Sequence, residues 1–146
     1  MKKLHQLVKE INEATHSINN LIYQKYNSLL DEDITSAQDL LLIIIHEAGR
    51  LTIREIAEKL EITPSAASQQ VSKLVNANYL QRETNEKNRR ETLVSLGIKG
   101  KGYMEKQEKF DEIITEKIYA KLGEKKLTHF RDIVKELKQI TIDELA

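Results

Sequence analysis

Between Thr63 and Asn76 the chain sets Ser65, Ser68, Gln69, Ser72, Lys73 and Asn76 at steps of three and four, with Ala67, Val71 and Leu74 in the gaps. On a helix the two sets point in opposite directions. The outward set is polar, carries one charge (Lys73), and consists otherwise of short hydroxyl and amide groups. Gln in such a place can bond the edge of adenine bidentately, and Ser can bond a base or a phosphate, so the face suits a DNA major groove. The alternative is an ordinary solvent-exposed helix. It fits less well, because the terminal segments of this chain expose far more Glu and Lys.

A second cationic group, Lys87, Arg89 and Arg90, lies in the polar stretch Asn85 to Arg90. From Ile62 to Lys101 there are seven basic residues and three acids, a net of +4 in a chain whose formal charge is zero. No Asp or Glu occurs between Ile62 and Arg82, although 32% of the residues are charged. That segment is clear of the sign that a phosphate backbone repels. On charge alone, a solvated surface that happens to be basic remains the alternative.

Other chemistries find little support. Without cysteine there are no disulfides, no thiolate metal sites and no cysteine redox sensing. There is no H-E-x-x-H, no Gly-rich phosphate loop and no Ser in a G-x-S-x-G setting, so no enzyme and no cofactor are expected. Met1 to Glu10 mixes charges with Leu4, Leu7 and Val8, unlike a signal peptide. The longest apolar run, Leu40 to Ile45, has six residues, where a membrane span needs about 20. A soluble, cytoplasmic protein is expected.

The elements that must position these residues are legible from caps and periodicity. Thr35 with Gln38 and Thr52 with Glu55 have capping-box spacing, and Gly49 stops the helix between them. Thr63 caps a third helix, with Pro64 at its first position, running to about Ala77; Asn78 then suits a left-handed residue. Tyr79 to Thr84 and Glu91 to Leu96 read as strands joined by Asn85 to Arg90. Two short helices joined tightly and followed by a basic-tipped hairpin make a winged helix-turn-helix.

On the N-terminal side, apolar residues from Leu4 to Leu29 recur at helical spacing over about seven turns, up to the acidic patch Asp31-Glu32-Asp33. On the C-terminal side, Phe110, Ile113, Ile114 and Ile118 mark one amphipathic helix; Gly123 interrupts, and Leu127 to Ile140 mark another. Such stripes cannot be buried on a lone helix, so these segments are expected to pack together and against a second chain. Leu7, Ile11, Ile18 and Leu21, with Phe130, Ile133, Val134 and Leu137, are the expected dimer contacts. The expected fold is mainly α: a three-helix core with a two- or three-stranded β-wing over residues 34–98. A dimerisation helix over 1–33 and dimerisation helices over 99–146 flank it. The expected DNA contacts are Thr63, Ser65, Ser68, Gln69, Ser72, Lys73, Asn76, Lys87, Arg89 and Arg90. A helical scaffold without DNA binding is the rival reading; it accounts for the amphipathic helices but not for the acid-free segment or the basic hairpin.

Taken in order, Ile34-Thr35-Ser36-Ala37-Gln38, Leu51-Thr52-Ile53-Arg54-Glu55-Ile56-Ala57, Ser68 to Leu80 and Asn85-Glu86-Lys87-Asn88-Arg89-Arg90, running into Leu93-Val94-Ser95-Leu96, resemble the MarR family of transcriptional repressors. They match its second helix, its L-T-x-x-E-L-A segment, its recognition helix and its D-P-x-D-R-R wing. The resemblance implies a homodimer on an inverted-repeat duplex operator, often released by a small aromatic or phenolic ligand between the terminal helices and the head. It aligns Arg90 with the arginine sent into the minor groove, though strand parity leaves the choice between Arg89 and Arg90 open. Tyr23, Tyr26 and Tyr103 are candidates for lining a ligand pocket, the alternative being plain core. Some members sense zinc, but His5 and His16 lie about 16 Å apart on a helix, and Glu13 with His16 has no second such pair to complete a site. His5, His16, His46 and His129 are therefore read as ordinary surface or core residues, with no metal.

Three departures from the family pattern carry expectations of their own. Asn85 and Asn88 replace aspartates, which should leave the wing arginine less preorganised. Asn78 replaces a frequent glycine. Gly97 replaces a frequent threonine, which should weaken the next helix's N-cap.

Overall fold

The computed structural model describes residues 1–29 and 33–146. Of the acidic patch read from the sequence, Asp31 and Glu32 lie outside the described residues. The chain divides into two compact units, Met1–Gln107 and Glu108–Ala146.

In the first unit α1 spans Lys2–Tyr26 and runs into a 3-10 turn, Asn27–Leu29. The head follows as α2 (Ser36–Ala48), β1 (Leu51–Thr52), α3 (Ile53–Leu60), α4 (Pro64–Asn76), β2 (Leu80–Thr84) and β3 (Thr92–Leu96). Next comes α5 (Ile98–Lys117), which crosses the boundary between the units. The second unit continues with a 3-10 turn, Tyr119–Lys121, and α6 (Glu124–Leu145).

The caps sit where side-chain chemistry demands them. Thr35 Oγ1 accepts from the Gln38 N–H while Gln38 Oε1 accepts from the Thr35 N–H, at 3.2 and 3.0 Å. Thr52 and Glu55 repeat that box at 3.1 Å both ways. Thr63 Oγ1 accepts from the Ala66 N–H at 3.1 Å, with Pro64 opening α4. Each box satisfies two donors that a helix start otherwise leaves to water. Gly49 ends α2 at φ +82°, and Asn78 turns the chain out of α4 at φ +66°. One stop was not read from the sequence: Glu61 ends α3 in the left-handed region at φ +57°, a conformation that costs a residue with a Cβ about 1–2 kcal/mol.

The core of the head is one cluster among the described residues. Leu41, Leu42 and Ile45 of α2 meet Ile56 of α3, Val71 and Leu74 of α4 and Val94 of β3, and all seven side chains are fully buried. The sheet is antiparallel in the order β1-β3-β2, with Leu51 opposite Val94 on one side and Arg82 opposite Val94 on the other. The wing therefore has three strands. The sequence shows two clearly, because Leu51-Thr52 is only a dipeptide and Thr52 already serves as the N-cap of α3.

The second difference concerns α5. Its amphipathic signal becomes clear only from Phe110 onward, yet the helix begins at Ile98. Gly97, Gly100 and Gly102 thin out the apolar pattern there. Two of these glycines are required by a close backbone approach. The Gly97 N–H donates to Tyr79 O at 2.9 Å and the Lys99 N–H to Asn78 O at 3.1 Å. A Cβ on Gly97 would sit 2.7 Å from Asn78 O, and one on Gly100 would overlap Tyr79 O. Gly97 is thus a packing residue, and its value as an N-cap is secondary. Gly100→Ala is expected to destabilise the chain by about 1–3 kcal/mol, as overpacking does, measured as a lower urea midpoint at unchanged slope.

Among the described residues no helix is long and apolar enough to cross a membrane, and no group of three or more His, Asp and Glu is placed to hold a metal ion.

Candidate nucleic-acid interface

Helix α4 buries one face and exposes the other. Ala67, Val71 and Leu74 are at most 2% exposed, and α4 packs on α3 and β2. Opposite them Thr63, Ser65, Ser68, Gln69, Lys73 and Asn76 are exposed and Ser72 is half-buried. The face expected from the sequence is therefore assembled, with one addition. The Arg82 guanidinium on β2 donates through Nη2 to Ser72 Oγ at 2.7 Å. That bond joins the wing to the middle of the polar face, and nothing in the spacing of the motif foretold it.

The hairpin loop is held by its asparagines. Asn85 Oδ1 accepts from the Lys87 N–H at 3.1 Å, and Asn88 Oδ1 from the Arg90 N–H at 3.2 Å. The Asn88 N–H donates to Asn85 O, and the Glu91 N–H to Asn88 O. The two side-chain bonds close Asx turns, which asparagine makes as well as aspartate, and the two backbone bonds close β-turns over the same residues. Replacing the two aspartates thus leaves the wing's backbone pinned. Lys87, Arg89 and Arg90 are exposed at its tip, with no side-chain partner among the described residues.

The other side of the hairpin carries the acid. Glu83 pairs with Arg50 at 3.4 Å and accepts from Ser95 Oγ at 3.0 Å. Gln81 also donates to Ser95 Oγ. Glu83, Arg50 and Lys101 border an open cleft of about 390 Å³. The tyrosines considered for a ligand pocket part company. Tyr103 is core: it stacks edge-on against Tyr79 at 6.2 Å, its hydroxyl donates to Asp39 at 2.6 Å, and it accepts from Gln107 at 2.7 Å. Tyr23 is exposed and Tyr26 half-buried.

The expected dimer contacts lie on two apolar stripes. No residue of α1 or of α6 is buried. Leu7, Ile11, Ile18 and Leu21 are 47–63% exposed, and Phe130, Ile133, Val134 and Leu137 are 47–60% exposed.

Residues 34–92 match the model of the MarR family. The chain is 29% identical over 115 residues, 78% of its length and 70% of the relative's, to the HTH-type transcriptional repressor MdtR of Bacillus subtilis. Among solved structures it is similar to the YusO protein of Bacillus subtilis, at 26% identity and a TM-score of 0.60, covering 92% of this chain and 96% of that one. It shares its fold with FabT of Streptococcus pneumoniae, solved in complex with DNA, at a TM-score of 0.72 and 23% identity over 93% and 98% of the two chains.

Proposed function

We propose, from the premise that this chain carries a MarR-family domain over residues 34–92, that it is a sequence-specific regulator of transcription which grips duplex DNA with α4 and the β2–β3 wing. The observation that carries this reading is the exposed, acid-free polar face of α4 beside a wing tip of three cations that have no side-chain partner among the described residues. FabT, which has the same fold, is seen with DNA, and MdtR is described as a repressor. Both descriptions support the reading.

In this proposal Ser65, Ser68, Gln69, Ser72 and Asn76 face base edges or phosphates, Thr63 and Lys73 hold phosphates, and of the wing cations Lys87, Arg89 and Arg90 one arginine, aligned as Arg90, enters the adjacent minor groove while the others meet its phosphates. The head spans residues 34–98. The helical segments 1–33 and 99–146 supply dimer contacts, so that two heads read an inverted repeat. The finer reading is a cytoplasmic repressor released by a small aromatic ligand, tested by titrating phenolic acids into the protein–DNA complex and watching for dissociation.

Selection from a pool of random duplexes by gel shift tests the core of the proposal. A recovered consensus with two-fold symmetry supports it; a scaffold protein recovers none. Gln69→Ala is expected to relax base preference at one position per half-site at a cost of about 1–3 kcal/mol, whereas Lys73→Ala weakens all duplexes alike. Loss of Arg90 should weaken A·T-flanked sites most. Identical consensus sequences for wild type and Gln69→Ala would remove Gln69 from the readout.

A further inference from the structure

We infer that Arg82 is both a phosphate contact and the strut that fixes the wing against the recognition helix, an inference that rests on the DNA-binding reading above. Its side chain is exposed, and its hydrogen bond to Ser72 Oγ, 2.7 Å long, runs from strand β2 to helix α4. Ser72 lies on the line Ser68–Ser72–Asn76, one helical turn per step, so the guanidinium stands at the centre of the polar face. It is placed by the wing and reaches the helix.

The partner's chemistry decides what this bond does. Serine is neutral, so it orients the guanidinium without cancelling its charge; a carboxylate there would do both. A guanidinium has five N–H donors, and Ser72 is its only hydrogen-bond partner among the described residues. The neighbouring acid does not interfere. Adjacent strand residues point to opposite faces, and Glu83 is engaged on the far side with Arg50 and Ser95. On the near side, the chain from Ile62 to Arg82 has no acid. A strand residue tied to the recognition helix and left with its full charge serves two purposes: it sets the angle between wing and helix, and it meets the backbone that runs between the two grooves.

The test uses the full-length chain and the duplex that wild type selects from a random pool, with binding followed by fluorescence anisotropy across a salt series. Each phosphate contact steepens the dependence of log K on log salt by about 0.9, which corresponds to roughly fivefold in affinity at 0.15 M. Arg82→Gln, which removes the charge and falls two bonds short of Ser72, is expected to lose at least that much per head and to flatten the slope by the same increment. Arg82→Lys keeps the slope. Ser72→Asp behaves like Arg82→Gln, because the carboxylate neutralises the guanidinium. Ser72→Ala keeps the slope but blurs the base preference at the wing-contacted flanks. Unfolding curves like that of wild type separate these effects from misfolding. Wild-type affinity in Arg82→Gln, or a weakened complex with an unchanged slope, overturns the phosphate contact while leaving the DNA reading intact. A wild-type chain that selects no duplex overturns both.

Discussion

Raising the salt concentration from 50 to 200 mM is expected to weaken binding to the selected duplex by ~10³ to 10⁵-fold, the range for a protein neutralising about six to ten phosphates. Net charge cannot supply such a response, since the chain's formal charge is zero. Placement can. Of the seven cations between Ile62 and Lys101, Lys99 sits over the Tyr79 ring at 5.7 Å and Lys101 borders the cleft that also contains Glu83. Lys73, Arg82, Lys87, Arg89 and Arg90 remain exposed and without a carboxylate partner among the described residues. Five per head, in two heads, sets the upper end of the expected slope. Anisotropy titrations at four or more salt concentrations measure it directly. A flat response would remove the electrostatic basis of the proposal, whatever duplex had been selected.

What was legible in the sequence was local chemistry. Thr35 with Gln38 and Thr52 with Glu55 announce their helices because a capping box involves only residues three apart. The α4 face was legible for the same reason: its two sides alternate at helical spacing within fourteen residues, Thr63 to Asn76. Contacts between segments distant in the chain were not legible. Leu51 pairs with Val94 across forty-three positions, and a two-residue strand has no pattern of its own. Gly97 and Gly100 look like weak points in a helix until Asn78 and Tyr79 are seen pressed against them. The same holds at the interface: Arg82 and Ser72 are each unremarkable in sequence, and only the packing of β2 on α4 brings them to 2.7 Å. The asparagines of the wing show the converse. Comparison with a family pattern marks them as a loss of orientation for the wing arginine, and Arg89 and Arg90 indeed have no side-chain partner among the described residues; what the pattern does not show is that both asparagines accept from the loop's own backbone N–H groups.

Inserting about 5 base pairs between the half-sites, half a helical turn of DNA, is expected to abolish tight binding while each half-site stays intact. One head offers one recognition helix and one wing, and by itself should bind weakly. Two heads on a common frame bind as a chelate, so the second engagement is intramolecular and adds about 10² to 10⁴ in affinity without a new contact. That gain depends on geometry. If the frame holds the recognition helices about one DNA turn, roughly 34 Å, apart, an added half turn carries the second half-site to the opposite side of the duplex, out of reach. The frame in this proposal is made where the stripes of α1 and α6 meet a second copy. Large apolar side chains left about half exposed along two helices are more than a monomer ordinarily presents to water. Ile133→Glu combined with Leu137→Glu would place carboxylates in that contact. The double variant should sediment as a monomer, keep its folded head, and bind with the weak affinity of one half-site, indifferent to the spacing that wild type requires. Sedimentation of the unaltered chain provides the direct check: a monomer at micromolar concentration that still held one operator tightly would leave no frame for the chelate, and the dependence on spacing would have to vanish with it.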